Sequence, residues 1–261
     1  MPHYEQPLHV DRIWCFDRHD TESGISSRNM AHQTGCLICG DELVYGEAHD
    51  HVCSVCEKSF SSSVVCKQGH YVCDDCHRID ALEYLYTYVI KTDETNPIVM
   101  LEAVMAHPSF NMHGPEHHYL IPAIFLTAIR NAGYLVPDNY WTLLKLRCAQ
   151  LPGGTCGYWG ACSSALGAGI TTSILTSCTP LSNSPAYSQV HEASRDAIDR
   201  IATIGGPRCC KRNTFLAAEA LSDFLETTMN IQLPTSTYQC SHMKRNKECL
   251  TLKCPFFPKR V

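Results

Sequence analysis

Eight cysteine and histidine side chains between residues 35 and 78 have the spacing of metal ligands. They form four pairs, each separated by two or three residues: Cys36 and Cys39, Cys53 and Cys56, Cys66 and His70, and Cys73 and Cys76. A two-residue spacer lets one tight turn present both thiolates to a single ion, and four such ligands complete a tetrahedral zinc site. So short a segment has too few apolar residues to form a hydrophobic core, so bound metal ions would have to stabilise its fold. The sequence therefore predicts a module that holds two zinc ions.

The order in which these pairs share an ion stays open. Sequential pairing would give a zinc ribbon followed by a second site, whereas interleaved pairing would give a cross-braced module. The segment CKQGHYVCDDC, residues 66–76, is similar to part of a RING-type finger. The last cysteine pair of that finger is missing after Cys76, so no ubiquitin-ligase activity is implied. His77, next to Cys76, is an alternative ligand.

Two later stretches place cysteines beside glycines where a helical pattern begins. The first is PGGTCGYWGACSSALGAGI, residues 152–170, and the second is GGPRCCKRNTF, residues 205–215. At a helix start the free backbone N–H groups would point the same way as the thiols, which suits a metal cluster or an anion. The cysteines concerned are Cys156, Cys162, Cys209 and Cys210.

The second of these stretches combines adjacent thiols with cations. Neighbouring cysteines cannot easily bind one ion together, so one of Cys209 and Cys210 is expected to be a ligand or nucleophile and the other a packed thiol. Lys211 and Arg212 would lower the pKa of a thiol and receive a carboxylate, a phosphate or the charge of a cluster.

The segment HGPEHH, residues 113–118, is a second candidate for chemistry. Glu116, His117 and His118 lie in the expected first turn of a helix, where the positive end of the dipole favours a neutral imidazole. A neutral imidazole is what a metal ligand or a general base requires. His113 and His117 are four residues apart and could face one ion.

The tail after residue 231 carries a third set of ligands. Cys240, His242, Cys249 and Cys254 lie among basic residues, and the last of them begins the segment CPFFP. Three cysteines and a histidine make a full ligand set, so a third metal or cluster is one reading. The other is that the tail folds back and lends a thiolate to the helical domain.

Helical spacing of apolar residues begins after residue 79. A stripe of apolar residues predicts a first amphipathic helix, and proline and glycine residues mark the ends of the helices that follow. The stripe is Leu82, Leu85, Tyr86, Val89 and Ile90; the later helices start near Asn96 and Pro97, Pro115, Pro137, Tyr158, Pro185 and Arg208, the last ending near Met229. Short loops and the lack of a strand-period run predict an all-α bundle over residues 79 to about 230.

The fold class predicted is therefore mainly α: a helical bundle preceded by a small, ribbon-like or finger-like, two-zinc module. Four regions are expected. They are a flexible N-terminal extension at 1–34, the two-zinc Cys/His module at 35–78, the helical domain with its Cys/His site at 79–230, and a cysteine-containing tail at 231–261.

Composition limits the classes of partner. A formal net charge of -5 gives no general affinity for nucleic acid or an anionic membrane. The odd number of cysteines, 17, favours metal ligation over a disulfide lattice. The first residues lack the pattern of a secretory signal, and no stretch approaches the roughly 20 apolar residues of a spanning helix. We therefore expect a cytoplasmic protein with no membrane partner. The sequence does not indicate its oligomeric state.

Taken together, the motifs resemble those of an uncharacterised family of archaeal and anaerobic-bacterial proteins, catalogued as a domain of unknown function. The resemblance runs over residues 35 to 254 and rests on CxxCG, CxxGHYVCDxCH, MHGPEHHYLIPA, PGGxCGxWGACxxALGAGI, GGPRCCKRNTxLA and CPFFP. It implies no established activity.

A fainter resemblance concerns CGYWGAC and GGPRCCKRN alone. They are similar to the segments that surround the cluster in oxygen-sensitive [4Fe-4S] serine dehydratases and cysteine desulfidases. That resemblance implies a cluster with an open iron, held by Cys156, Cys162 and one of Cys209 or Cys210. It also implies that Lys211, Arg212 and Asn213 lie near the substrate.

These observations predict a metal-dependent enzyme, most simply an iron–sulfur lyase or sulfur-chemistry enzyme, acting on a small anionic substrate. Cluster iron would act as a Lewis acid while His117 or His118 moves a proton. One alternative is a non-enzymatic adaptor whose zinc module docks a protein or an RNA. Another is a thiol redox protein, or a metal or sulfur carrier, that uses Cys209 and Cys210.

Overall fold

The computed structural model describes residues 36, 38–73, 76, 81–151 and 153–258. All of them belong to one compact unit, Gly35–Val261. The extension expected at 1–34 and the alternative ligand His77 lie outside the described residues.

A β-hairpin forms the centre of the Cys/His module. Strands β1 (Leu43–Val52) and β2 (Ser59–Cys66) pair antiparallel, with Leu43 opposite Cys66 and Val52 opposite Ser59. A register irregularity lies between Tyr45 and His49. The hairpin places Cys53 directly after the first strand and Cys66 at the end of the second.

The rest of the described chain is mainly helical, which confirms the predicted fold class. The α-helices are α1 (Ala81–Lys91), α2 (Pro97–Ala106), α3 (Leu120–Asn131), α4 (Tyr140–Cys148), α5 (Thr155–Tyr158), α6 (Ser163–Leu175), α7 (Ala186–Ile204) and α8 (Cys210–Met229). Short 3-10 helices lie at Pro115–Tyr119, Met243–Arg245 and Thr251–Lys253. Among the described helices, none is both long enough and apolar enough to cross a bilayer.

Helix α3 is the centre of the core, and small residues let α6 approach it. Every residue of α3 from Leu120 to Ile129 is buried. A Cβ atom at Gly167 of α6 would lie 3.0 Å from Cβ of Ile121 and 3.1 Å from Cδ of Pro122. The glycine-rich stretch therefore serves close helix packing.

The first two turns after Gly114 differ from the predicted helix. A 3-10 helix runs from Pro115 to Tyr119, and the α-helix begins only at Leu120. Pro122 gives the reason, because a proline lacks the N–H donor of an interior helical residue but is tolerated in the first turn. The two histidines at 117 and 118 consequently lie on a 3-10 turn.

The apolar stripe predicted for α1 is correct in part. Leu85 and Val89 are fully buried, whereas Tyr86 and Ile90 are 43% and 52% exposed. The hydrophobic core therefore buries only one narrow face of this helix. The ring of Tyr86 packs instead against Trp141, with the centroids 4.8 Å apart.

The tail folds back onto α8. The ring of Tyr238 stacks on Phe215 with the centroids 3.5 Å apart, and Phe256 packs against both rings. The backbone N–H of Cys240 donates to the carbonyl oxygen of Phe256 at 2.7 Å. The tail is therefore part of the helical core.

Candidate metal centres and active-site cavity

Two quartets of side chains in the hairpin module can each hold a metal ion. The first is Cys36, Cys39, Cys66 and His70, and the second is Cys53, Cys56, Cys73 and Cys76. Within each quartet all ligand atoms lie within 4.8 Å of one another. The Sγ atoms of Cys39 and Cys66 are 3.5 Å apart, and those of Cys56 and Cys73 are 3.9 Å apart. Such separations fit thiolates at about 2.3 Å from a shared tetrahedral ion.

The hairpin explains why the pairs interleave. Because Leu43 lies opposite Cys66, the pair before β1 meets the pair at the end of β2. The turn that follows β1 meets the fourth pair, since Ser54 donates its N–H to the carbonyl oxygen of Tyr71 at 2.7 Å. Of the two arrangements left open by the sequence, the structure has the cross-braced one.

Backbone groups around the quartets favour thiolates. Three backbone N–H groups donate to cysteine sulfurs at 3.3 to 3.4 Å. The N–H of Ile38 donates to Cys36, that of Gln68 to Cys66 and that of Cys73 to Cys53. Burial opposes ionisation of Cys53, but the amide donors outweigh it and lower the pKa of this thiol to about 6.

His70 supplies a further observation. Its Nδ1 atom is buried and has no hydrogen-bond partner. A buried ring nitrogen without a partner fits a metal ligand, and the surrounding donors are three thiols. The donor sets of both quartets therefore fit a tetrahedral ion.

A separate cavity of about 250 Å³ lies in the helical domain, at the starts of α6 and α8 and beside the 3-10 turn. We call it the Cys/His cavity. Its lining includes Cys156, Cys162, Cys210, His113, His117, His118, Arg208, Asn213, Ser163 and Ser164. Three thiols and three imidazoles from segments far apart in the chain thus face one space.

His117 lines this cavity and has a free ring nitrogen. Its Nδ1 lies 3.2 Å from the carbonyl oxygen of Gly114, which can only accept, so Nδ1 carries the proton. Nε2 therefore keeps its lone pair, and it is buried without a partner. Burial lowers the pKa of His117 to about 4, although Glu116 beside it favours the cation. The imidazole is neutral at physiological pH.

His113 and His118 occupy the same wall with less burial. The Nδ1 atom of His118 donates to the carbonyl oxygen of Leu151 at 3.0 Å. Burial lowers the pKa of His118, so this imidazole also favours its neutral form. His113 Nε2 lies 3.4 Å from the Glu248 carboxylate, which brings the tail to the edge of the cavity.

The thiols of the cavity have polar neighbours. The side-chain amide of Asn213 donates to Cys162 at 3.6 Å. Burial raises the pKa of Cys210 to about 11, and the N–H of Gly114 works in the opposite direction. Cys210 is therefore protonated unless a metal ion or another strong cation replaces its proton.

Lys211 and Glu116, both predicted to be catalytic, do not line the Cys/His cavity. The Lys211 ammonium is buried and donates to the carbonyl oxygens of Met105 and Phe110, each at 3.2 Å. Glu116 accepts the N–H of Asn111 at 3.0 Å. These contacts tie the segment between α2 and α3 to α8.

Arg212, also predicted to be catalytic, has structural contacts of a similar kind. Its Nη2 donates to the carbonyl oxygens of Gly205 and Pro207, each at 2.8 Å, so it holds the turn before α8. Arg212 lines an adjoining cavity of about 360 Å³, which shares Cys156 and Cys162 with the first.

The sequence pattern of a known family matches residues 85–257. The chain belongs to DUF5714, a family of unknown function. This confirms the resemblance to an uncharacterised family. No curated protein and no solved structure matches the chain. The likeness to serine dehydratases and cysteine desulfidases therefore stays a prediction.

The DUF5714 region contains the Cys/His cavity and also the folded-back tail, whereas the two quartets lie before it. Cys209, at the start of α8, lines a small cavity together with the four ligand-type residues of the tail: Cys240, His242, Cys249 and Cys254. The sequence had grouped Cys209 with the cysteines of the Cys/His cavity. The signal for its actual position is the doubled cysteine, because two adjacent side chains at a helix start cannot point the same way.

Proposed function

We propose that the protein is a metal-dependent enzyme that acts on a small anionic substrate in the Cys/His cavity. The observation that carries this proposal is that His117, whose buried Nε2 has no hydrogen-bond partner, lines the same cavity as Cys156, Cys162 and Cys210. An imidazole with a free lone pair and three thiols around one cavity are a donor set for metal chemistry.

These thiols do not lie as close together as the ligands of a single ion. Among the described residues, the groups whose ligand atoms all lie within 4.8 Å of one another are the two quartets of the hairpin module. Thiolates on one ion at about 2.3 Å cannot be further apart than about 4.6 Å. An iron–sulfur cluster held by Cys156, Cys162 and Cys210 would supply a Lewis-acidic iron with an open position for a hydroxyl or thiol group.

The chain's own residues would bind and orient the substrate. Arg208 lies at the cavity wall and is solvent-exposed, so its guanidinium can receive a carboxylate or phosphate without a large desolvation cost. Asn213 adds an amide on the opposite side of Cys162. The neutral Nε2 of His117 can accept a proton from a bound hydroxyl or thiol.

The two quartets of the hairpin module are proposed to bind zinc with a structural role. Each offers four protein ligands, which leaves no open position for a substrate. The mixture of seven thiols and one imidazole is typical of zinc in a reducing environment.

The test is anaerobic purification followed by metal analysis and electron paramagnetic resonance of the reduced protein. We expect iron, sulfide and zinc, and a spectrum that changes when serine, cysteine or citrate is added. Arg208→Ala should weaken this response about tenfold or more in apparent Kd, because it removes a charged hydrogen bond. Arg195→Ala, an exposed arginine of α7, is the matched control and should leave it unchanged.

His117→Gln separates proton transfer from binding. It should keep the iron content and the response to the three carboxylate compounds but lose turnover of whichever of them reacts. Zinc without iron in the wild-type protein would reject the proposal and favour the adaptor. Iron whose spectrum does not change with any of the three compounds would also reject it.

A further inference from the structure

We infer that Cys209, Cys240, Cys249 and Cys254 together bind a four-iron, four-sulfur cluster between the start of α8 and the folded-back tail. The four cysteines line one cavity. This site uses different thiols from the Cys/His cavity, so it goes beyond the proposed function and would stand without it.

The fold brings these thiols together by two independent contacts. Cys209 is the N-cap of α8 and has an extended backbone, which turns its side chain away from that of Cys210. The stack of Tyr238 on Phe215 returns the tail to the same helix, and the hydrogen bond from Cys240 to Phe256 closes the tail on itself. The cavity is therefore formed by the core packing of the domain.

Each of the four sulfurs accepts a backbone N–H. The donors are Arg212 to Cys209, His242 to Cys240 and Thr251 to Cys249, each at 3.4 Å, and Phe256 to Cys254. In three of the four cases the donor is two residues after the cysteine. The same pattern occurs at Cys36 and Cys66 in the hairpin quartets. Amide donors stabilise thiolates that bind metal and tune the potential of iron–sulfur clusters.

Charge at the site also suits an anionic cluster. The side chain of Arg212 lines the cavity together with Cys209 and Cys254. A cluster with four thiolates carries net negative charge, which a buried guanidinium offsets.

These four sulfurs do not lie as close together as the ligands of a single ion. Unlike the hairpin quartets, they are not among the groups of described side chains whose ligand atoms lie within 4.8 Å of one another. The cavity itself has a volume of only about 20 Å³, and the four thiols form part of its lining. Iron bonds sulfur at a distance well inside van der Waals contact, so a cluster held by these thiols needs less free space than an uncoordinated molecule.

His242 is the competing ligand, because it is buried at the same cavity. Its backbone N–H already donates to Cys240. With four cysteines present, every iron has a thiolate ligand and none stays open. The site therefore holds a closed cluster, in contrast to the open one proposed for the Cys/His cavity.

The test compares variants of the full chain purified anaerobically, with iron, sulfide and zinc measured per chain and the clusters examined by Mössbauer spectroscopy. Cys209→Ala and Cys249→Ala should each lose about half of the wild-type iron and keep all the zinc, because one of two clusters is removed. Cys249 is partly exposed, so its variant should fold if the buried Cys209 variant does not. Cys148→Ala, which removes a buried thiol that lines neither cavity, is the control for folding.

Further variants separate the two iron sites. Cys162→Ala should remove only the cluster of the proposed function and leave the closed one. If the proposed function fails, the wild-type iron should be insensitive to Cys162→Ala and still be lost in Cys249→Ala. Wild-type iron content in Cys249→Ala would overturn the inference. So would loss of iron in His242→Gln combined with its retention in Cys209→Ala.

Discussion

His107 and His117 are both buried imidazoles with an unpartnered Nε2, yet they have different surroundings. His107 stacks on Tyr84 with the centroids 3.8 Å apart, and its Nδ1 lies 2.7 Å from Ser109 Oγ. His117 faces a cavity lined by thiols. A free ring nitrogen is thus a functional signal only when a space for a ligand adjoins it.

His107 should make the stability of the fold depend on pH. Burial lowers its pKa to about 4, against 6.5 for a free histidine. Between these values the unfolded state binds more protons, so stability should fall as pH falls from 6.5 to 4. The loss at the low end should reach about 3 kcal/mol.

The measurement is urea unfolding of the wild type and His107→Phe across this pH range. The aromatic replacement keeps the stack on Tyr84 but cannot titrate. The free energy of unfolding of His107→Phe should therefore fall less steeply than that of the wild type as the pH falls. Both proteins lose metal in acid, so that effect cancels when the two pH profiles are subtracted. Parallel pH profiles for the two proteins would contradict the assignment.

At the scale of elements, α6 shows how a small-residue stripe and a site can share one helix. Its first residues line the Cys/His cavity, while Gly167 allows contact with α3. The helix position is therefore fixed by packing at one turn and used for chemistry at another. Errors in that packing should be visible as lost stability.

Gly167→Ala should destabilise the fold. The new methyl group would lie 3.0 Å from Cβ of Ile121, which is a fully buried residue. A Cβ atom is bonded directly to the backbone, so it cannot move aside without moving the helix. Overpacking of this kind costs about 1–3 kcal/mol, and the helix propensity of alanine returns only about 1 kcal/mol. Urea unfolding should therefore show a net loss on the order of 1 kcal/mol.

Gly157→Ala is the matched control, because nothing lies within 4 Å of the added Cβ. It should be neutral or slightly stabilising. A Gly167→Ala protein as stable as Gly157→Ala would show that α3 and α6 are further apart than the structure has them.

Most helices could be predicted because their end signals are local. Asn96 caps α2 by accepting the N–H groups of Ile98 and Val99, as Asn-Pro at a helix start predicts. The 3-10 turn at Pro115 has no local signal, because it depends on Pro122 seven residues further along the chain. The hairpin has none either, because its strands are mostly exposed and show no alternation of apolar residues.

At the scale of the whole molecule, residue spacing indicates which side chains of the hairpin module could bind metal, but it does not show which of them share an ion. The cross-braced pairing depends on the register of the hairpin, which residue spacing does not contain. The separation of Cys209 from Cys210 depends on where the tail packs. The doubled cysteine indicates that these two side chains diverge, but no local pattern shows which cavity each of them lines.

The module and the DUF5714 region meet within the described chain. Arg245 of the tail donates to the carbonyl oxygen of Ile38 at 3.4 Å, beside the first cysteine quartet. The family match nevertheless starts at residue 85 and leaves the quartets out. This division suits an account in which the quartets stabilise the structure and the matched region carries the chemistry.

The most direct measurement is anomalous X-ray diffraction at the iron and zinc edges from crystals grown without oxygen. We expect zinc at both hairpin quartets, and iron in the Cys/His cavity within bonding distance of Cys156, Cys162 and Cys210. A cavity that holds zinc or no metal, or that has these three sulfurs pointing away from one another, would contradict it.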